Sequence, residues 1–362
     1  MNTAKPESSG PSGVSILLCT KNGAERLPET LAHLAAQEVP DGMPWEVILV
    51  DNGSTDGTAE LARKLWPLHA GAPLRVLVEP RPGKSNAIET GWKSARQPVI
   101  LIVDDDNWLA PRYVAATGAI FAESPGAAIT SGYAAAEFAV EPPEWFVRFQ
   151  ATYAVANEGW PSGDVTEELP IPSGAGMGIR KAAVDELYER GFQHLLRGRV
   201  LDLMGCEDAE LCLALRLAGW RWWRDQGLRL RHFMPAERLR WSYCRRLARG
   251  LGAGYARLDV YALARLPPPS GPLAEMKETW PWLLLRALKP IACNPRLMAR
   301  CLFTEAEGCA DVFWMETRLG RWLGLLRFRK QVRRSIASVR SASWAWKGSE
   351  DRTSGLRSNR AV

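Results

Sequence analysis

Four short apolar runs dominate the first third of the chain: VSILLCT (14–20), WEVILVDN (45–52), LRVLVEP (74–80) and PVILIVDDDN (98–107). Each is rich in Val, Ile and Leu, and none shows clean polar alternation. A strand with one face in water alternates; a strand covered on both faces does not. The runs therefore predict buried strands. The segments between them have helical character. Leu27, Leu31 and Leu34 recur at three- and four-residue spacing, and cap-type residues Ser54 to Asp56 precede Leu61 and Leu65. GKSNAIETGWKSA follows the third run. The resulting βαβαβαβ order implies an α/β, Rossmann-like, mostly parallel sheet flanked by helices, with right-handed crossovers.

In such a sheet the ligand crevice lies at the carboxyl ends of the strands. Here those ends carry Thr20-Lys21-Asn22, Asp51-Asn52 and Asp104-Asp105-Asp106. Two carboxylates ~5 Å apart at an effective dielectric of ~20 repel by about 3 kcal/mol. A buried strand end makes this worse, so the aspartates either protonate or meet a cation. Oxygen ligands suit Mg²⁺ or Mn²⁺, with water and a ligand's phosphates completing the shell. A solvated acidic turn ahead of Pro111 is the plainer alternative. Lys84, after Pro82-Gly83 at a helix start, forms an anion cradle or is a surface lysine. Glu207-Asp208 stand at the start of a predicted helix, where carboxylates also serve as ordinary dipole partners. That helix has Leu211, Ala214, Leu215 and Leu217 as its apolar face and Gly219 as its stop. His232 ends an alternating run, RWWRDQGLRLRHF, as a packed residue or as a metal or phosphate partner.

Downstream of residue 125 the reading is coarser. AAITSGY is a further strand, and GAGMG (174–178) is a loop running into a helix. The region 235–265 is helical, 266–272 is a break, and the chain from about 341 is Ser- and Arg-rich and expected to be disordered. RPGKSNA is not a P-loop, because the glycine required five positions before Gly83 is Val78. GAGMG has neither the spacing nor the position of a dinucleotide fingerprint. No GxSxG or HExxH is present.

The seven cysteines include no CxxC pair and read as free thiols in a reducing cytosol. No run approaches the ~18 apolar residues of a membrane span, so a cytoplasmic protein, soluble or peripheral on the inner face of the plasma membrane, is expected. The net charge of +6 is local: eight basic residues and no acidic one lie between Arg318 and Arg340, and without them the remainder is slightly acidic. Leu319, Trp322, Leu323 and Leu326 form a stripe within that segment. It suits either an interfacial helix on an anionic membrane or a helix packed on the body. An acidic body without a recognition fold argues against nucleic acid.

As a set, these motifs resemble the family 2 glycosyltransferases of the GT-A fold. SILLCTKNGAERLPETL is similar to the family's first strand and turn, and VILVDNGSTDGT to its second. PGKSNAIETGW resembles its Gly-Lys helix, VDDDN its Asp-x-Asp motif and EDAEL its Glu-Asp motif. The resemblance covers roughly 14–235. It leaves a disordered 1–13, a helical 236–340 with the basic amphipathic segment, and a disordered 341–362. It implies nucleotide-sugar contacts from Thr20, Asn22, Asp51, Lys84, Asp104 and Asp105. A metal would be held by Asp106 with Asp104 and His232. Asp208 would act as general base with Glu207 orienting, and Gly174, Gly176 and Met177 would form an acceptor- or donor-sugar loop. Asp105 is expected to face away from the metal. The implied reaction is inverting transfer to a glycan or lipid-linked acceptor in cell-surface glycan assembly. One sugar would be added per encounter, since RLRWSYCRRL lacks the glutamine of processive synthases. A nucleotidyltransferase, or a non-catalytic nucleotide-sugar module at the membrane, are the alternatives.

Overall fold

The four apolar runs become β1 (Val14–Thr20), β2 (Trp45–Asp51), β3 (Leu74–Val78) and β4 (Val99–Asp104), parallel and in the order β3-β2-β1-β4. The computed structural model describes residues 12–345 except 68–69, 156–158, 169–171, 173, 196–202, 204, 266–268 and 330, with the backbone only at 207. Ile16, Leu18, Val47, Leu49, Leu101 and Val103 enter one core layer, while Leu17, Ile48, Val50, Ile100 and Ile102 enter the other. Both faces being covered is the reason the runs do not alternate.

The crossovers are α1 (Leu27–Ala35), α2 (Thr58–Leu65) and α3 (Lys84–Ser94). α1 starts at Leu27, the first residue of the apolar spacing, with Pro28 in its first turn. α2 has no side-chain cap. Gly57 at its start is left-handed, and Asp56 Oδ1 accepts the Thr58 N–H at 3.2 Å, so Ser54–Asp56 shape the turn instead.

Beyond β4 lie β5 (Asn107–Leu109), α4 (Tyr113–Glu123), β6 (Ala127–Phe138), α5 (Phe146–Phe149), β7 (Gly163–Asp164), β8 (Met177–Arg180), α6 (Lys181–Glu189), α7 (Glu207–Leu217) and β9 (Arg221–Met234). They extend the sheet as β4-β8-β6-β9-β5, with β7 on β9. β8 corrects the expectation of a loop running straight into a helix. It pairs antiparallel with both β4 and β6. A strand with a glycine at its centre carries little β signal, yet a methyl at Gly178 would fall 2.3 Å from Thr130 Oγ1, so a side chain is excluded there.

The C-terminal extension holds α8 (Trp241–Arg265), α9 (Pro272–Lys277), α10 (Trp280–Ala292), α11 (Pro295–Phe303), α12 (Ala310–Phe328) and α13 (Val332–Ser341). α8 and α12 approach closely: methyls at Gly252 and Gly320 would fall 2.1 Å from Thr317 O and 1.9 Å from Arg249 O. Leu325 and Phe328 are buried, Leu319 and Trp322 pack on the core, and Arg321 pairs with Asp259. Two of the four residues of the 319–326 stripe, Leu319 and Trp322, thus pack on the body, while Leu323 and Leu326 are half-buried. Trp344, past α13, is buried edge-on to Phe192. Residues 1–11 and 346–362, where disorder was expected, lie outside the described residues. No described helix is long and apolar enough to cross a membrane, and all seven cysteines are free.

Candidate active site

β4 ends at Asp104, earlier than its run of residues suggests. The chain turns at Asp105-Asp106, and Asn107 opens β5 opposite His232 of β9. The turn points the three aspartates in three directions, and each meets its own cation. Asp104 Oδ1 pairs with Lys84 Nζ at 2.7 Å. Asp105 is gripped by Arg26 through Nε to Oδ1 (3.1 Å) and Nη2 to Oδ2 (2.9 Å), and Thr20 Oγ1 donates to Oδ2 at 2.6 Å. Asp106 Oδ2 accepts from Arg238 Nη2 at 2.7 Å, while Oδ1 accepts from Asn107 Nδ2 at 3.0 Å and lies 3.4 Å from His232 Nε2. Burial would raise the Asp106 carboxyl, but His232 and Arg238 outweigh it and hold it far below the carboxylate range.

Across Lys84 stands Asp208, in the first turn of α7. The helix opens on Cys206, a non-glycine residue at φ 85°, which swings the chain sharply into the helix. Burial raises the Asp208 carboxyl. Lys84 opposes the rise and Asp104 adds to it. Burial would lower Lys84, but Asp104 and Asp208 hold it above the ordinary ammonium range. Cys19, at the end of β1, faces the same charges, and burial pushes its thiol up to about 12, leaving it inert. Gly174 forms the wall behind Asp208: a methyl there would fall 1.8 Å from Asp208 Oδ2. α7 is pinned one turn further on by fully buried Glu210, which accepts from Tyr261 Oη at 2.9 Å and from the Leu195 N–H at 2.5 Å.

The ends of β1, β2 and β3 are stitched by side chains. Asp51 Oδ1 accepts the Ser54 N–H (2.9 Å), and Asn22, left-handed at φ 50°, accepts the Thr55 N–H through Oδ1 (2.9 Å). Asn52 donates to Glu79 O (2.9 Å) and Arg81 O (2.7 Å) and accepts the Gly83 N–H (2.7 Å), fixing the turn that launches Lys84.

Residues 15–187 match the model described as Glycosyl transferase family 2. This chain carries a family 2 glycosyltransferase domain. The glycosyltransferase is 27% identical over 214 residues to Glycosyltransferase AglE of Haloferax volcanii, covering 54% of this chain and 67% of that one. It is 33% identical over 93 residues to the undecaprenyl-phosphate 4-deoxy-4-formamido-L-arabinose transferase of Pectobacterium carotovorum, spanning 26% of this chain but only 28% of that enzyme. Its fold follows that of mannosyltransferase PcManGT from Pyrobaculum calidifontis, in complex with GDP-Man and Mn²⁺, with TM-score 0.57, 17% identity, and 91% and 90% of the two chains covered. The GT-A architecture that the resemblance implied is the one observed.

Of the residues singled out in the sequence, the transferase brings Lys84, Asp104 and Asp208 together, with Gly174 against Asp208, and sets Asp106 beside His232. Thr20 and Asp105 hold each other and Arg26. Asp105 sits in a turn, where strand alternation does not set its direction. Met177 is wholly buried on β8 with Cys212 Sγ 3.4 Å from its sulfur, and Gly176 O accepts from Tyr113 Oη at 2.7 Å, so these two support the wall and do not line it. The Glu207 side chain lies outside the described residues. Arg26 and Arg238 were missed. Charge balance was the available signal: three clustered aspartates beside one lysine require further cations.

Proposed function

We propose that the glycosyltransferase moves a sugar from a nucleoside-diphosphate sugar to an acceptor hydroxyl with inversion at the anomeric carbon. The observation that carries this is the Asp208–Lys84–Asp104 arrangement: a buried carboxyl of raised proton affinity, across an ammonium from the first aspartate of the strand-end triplet. Asp208 takes the proton of the attacking hydroxyl as general base. Lys84, at the start of α3, neutralises charge on the departing diphosphate, aided by the helix N-terminus. The α7 anchor at Glu210 keeps the base from drifting.

Two carboxylates and an imidazole, Asp104, Asp106 and His232, suit a hard divalent cation, Mg²⁺ or Mn²⁺, and His232 Nδ1 is buried without a partner. Among the described residues no three such side chains already converge, and Lys84 and Arg238 occupy the carboxylates. The donor set fits once those cations turn to the diphosphate. When bound, the ion supplies positive charge to the leaving group. Asp51 and Asn22, at the ends of β2 and β1, face the nucleoside side of the cleft. A lipid-linked acceptor is supported by the likeness to the undecaprenyl-phosphate transferase.

Asp208→Asn tests the reading. Transfer should fall by about 10²–10⁴-fold, as for loss of a general base, while nucleotide-sugar binding persists. Unchanged turnover would remove Asp208 from the role.

A further inference from the structure

The helical extension displays apolar side chains where a water-soluble surface would not. Phe303 is 83% exposed, Leu302 58%, Leu285 61% and Trp314 56%. α10 buries only Ile291 of its thirteen residues, and α11 only Cys301 of its nine. Both helices are amphipathic, but only the inner part of each apolar face meets α12. Scattered exposed apolar residues are ordinary; several on one short helical pair are not.

Charge accompanies them. From Trp280 to Thr304 the chain has Arg286, Lys289, Arg296 and Arg300, all exposed, and no acidic residue. The acids begin only in the following loop, where Glu307 is engaged by Trp145 Nε1 at 2.8 Å. Exposed aromatic and aliphatic side chains interleaved with arginine and lysine are what the interface of an anionic bilayer binds.

The position of this surface relates it to the active site. Arg245, in the first turns of α8, donates to Cys301 O and, at 3.2 Å, to Thr304 O, and Trp241 Nε1 donates to Glu305 O at 2.6 Å. The end of α11 therefore lies against the end of α8 that follows Arg238, the cation on Asp106. Trp314 is on the matching end of α12, two residues before Glu316, which Arg245 also grips. The Leu302–Phe303 end of the apolar surface is therefore at the Arg238 end of α8, whereas α10 begins against the far end of α12, where Trp280 Nε1 donates to Leu325 O at 2.7 Å.

We infer that the end of α11, through Leu302 and Phe303 with Arg296 and Arg300, seats the enzyme on an anionic lipid surface with its cleft at the membrane. This goes beyond the reading of the site, because attachment is independent of which sugar is transferred. It also moves the membrane contact away from the 319–326 stripe, whose four apolar residues are half-buried.

The test is flotation of the full chain with phosphatidylcholine vesicles, with and without phosphatidylglycerol. Binding is expected only with phosphatidylglycerol. Replacing Arg296 and Arg300 by serine, and separately Leu302 and Phe303 by serine, should each weaken it by about tenfold or more. Val78→Ser, exposed at the far edge of the sheet, serves as the control and should not change binding. No phosphatidylglycerol-dependent binding, or binding indifferent to both double variants, overturns the inference. So does a lipid-free dimer that Phe303→Ser dissolves, which would make a second copy the occupant. Nucleotide binding by the same preparations reports on the active site separately.

Discussion

Two regions of this molecule bury carboxylates against arginine and lysine, and they do so to different ends. At the α8–α12 interface, Glu316 is wholly enclosed and receives Arg245 (Nη2, 2.7 Å) and Arg249 (Nε, 2.7 Å). Glycines bring the two backbones together around it. At the end of β4, Asp104, Asp105 and Asp106 have equally short contacts, but Asp104 is 29% exposed and Asp105 11%, whereas Glu316 is wholly buried. The cations do not separate the two regions, since Arg249 is 42% exposed and Lys84 32%. Ion pairing alone therefore does not mark a functional site. The solvent access of the carboxylate does.

Glu316→Ala is expected to have the largest effect on the folded state. Removing one member of a buried ion network leaves charge uncompensated, at about 3–5 kcal/mol in urea unfolding, with nucleotide affinity unchanged. A folded variant that has lost nucleotide affinity would break the contrast. Lys84→Met acts in the opposite sense. Nucleotide-diphosphate affinity by calorimetry should fall about 10–100-fold, the range for a charge-assisted hydrogen bond, with little change in unfolding. Arg238→Met sharpens the comparison further. It frees one oxygen of Asp106, so Mn²⁺ binding without nucleotide, read from the paramagnetic resonance of the free ion, should strengthen by about tenfold. Weaker binding would show that Arg238 supports the site. The smallest effect is on pH dependence. Asp208 is raised by burial and restrained by Lys84. As the proposed general base it acts unprotonated, so kcat/KM should be lost as pH falls, earlier than for an ordinary carboxylate. In Lys84→Met that acidic limb should move to still higher pH.

The sheet was legible because burial on both faces writes itself as unbroken apolar runs, as in VILIV of β4. The helix of the base was legible because Leu211, Ala214 and Leu215 keep their spacing. β8 was not, since Gly178 is a strand residue for reasons of space set by Thr130, over forty residues away. The separation of the three aspartates was also hidden. Five apolar residues before them suggest a continuous strand, and only pairing of Asn107 with His232 turns the chain. Arg26 and Arg238 come from turns remote from the aspartates in sequence, so pattern gives no hint of them. The inward face of α12 depends on Gly252 and Gly320 meeting opposite backbones, which no single-helix periodicity contains.

Gly174 does not need the conformational freedom of glycine, since its φ is not in the left-handed region. What it provides is an absence: the space of one methyl, filled by the carboxylate of Asp208. The position works as a gauge with a tolerance of a single carbon. Anyone reshaping this wall by substitution would find that the smallest addition at 174 relocates the Asp208 carboxylate.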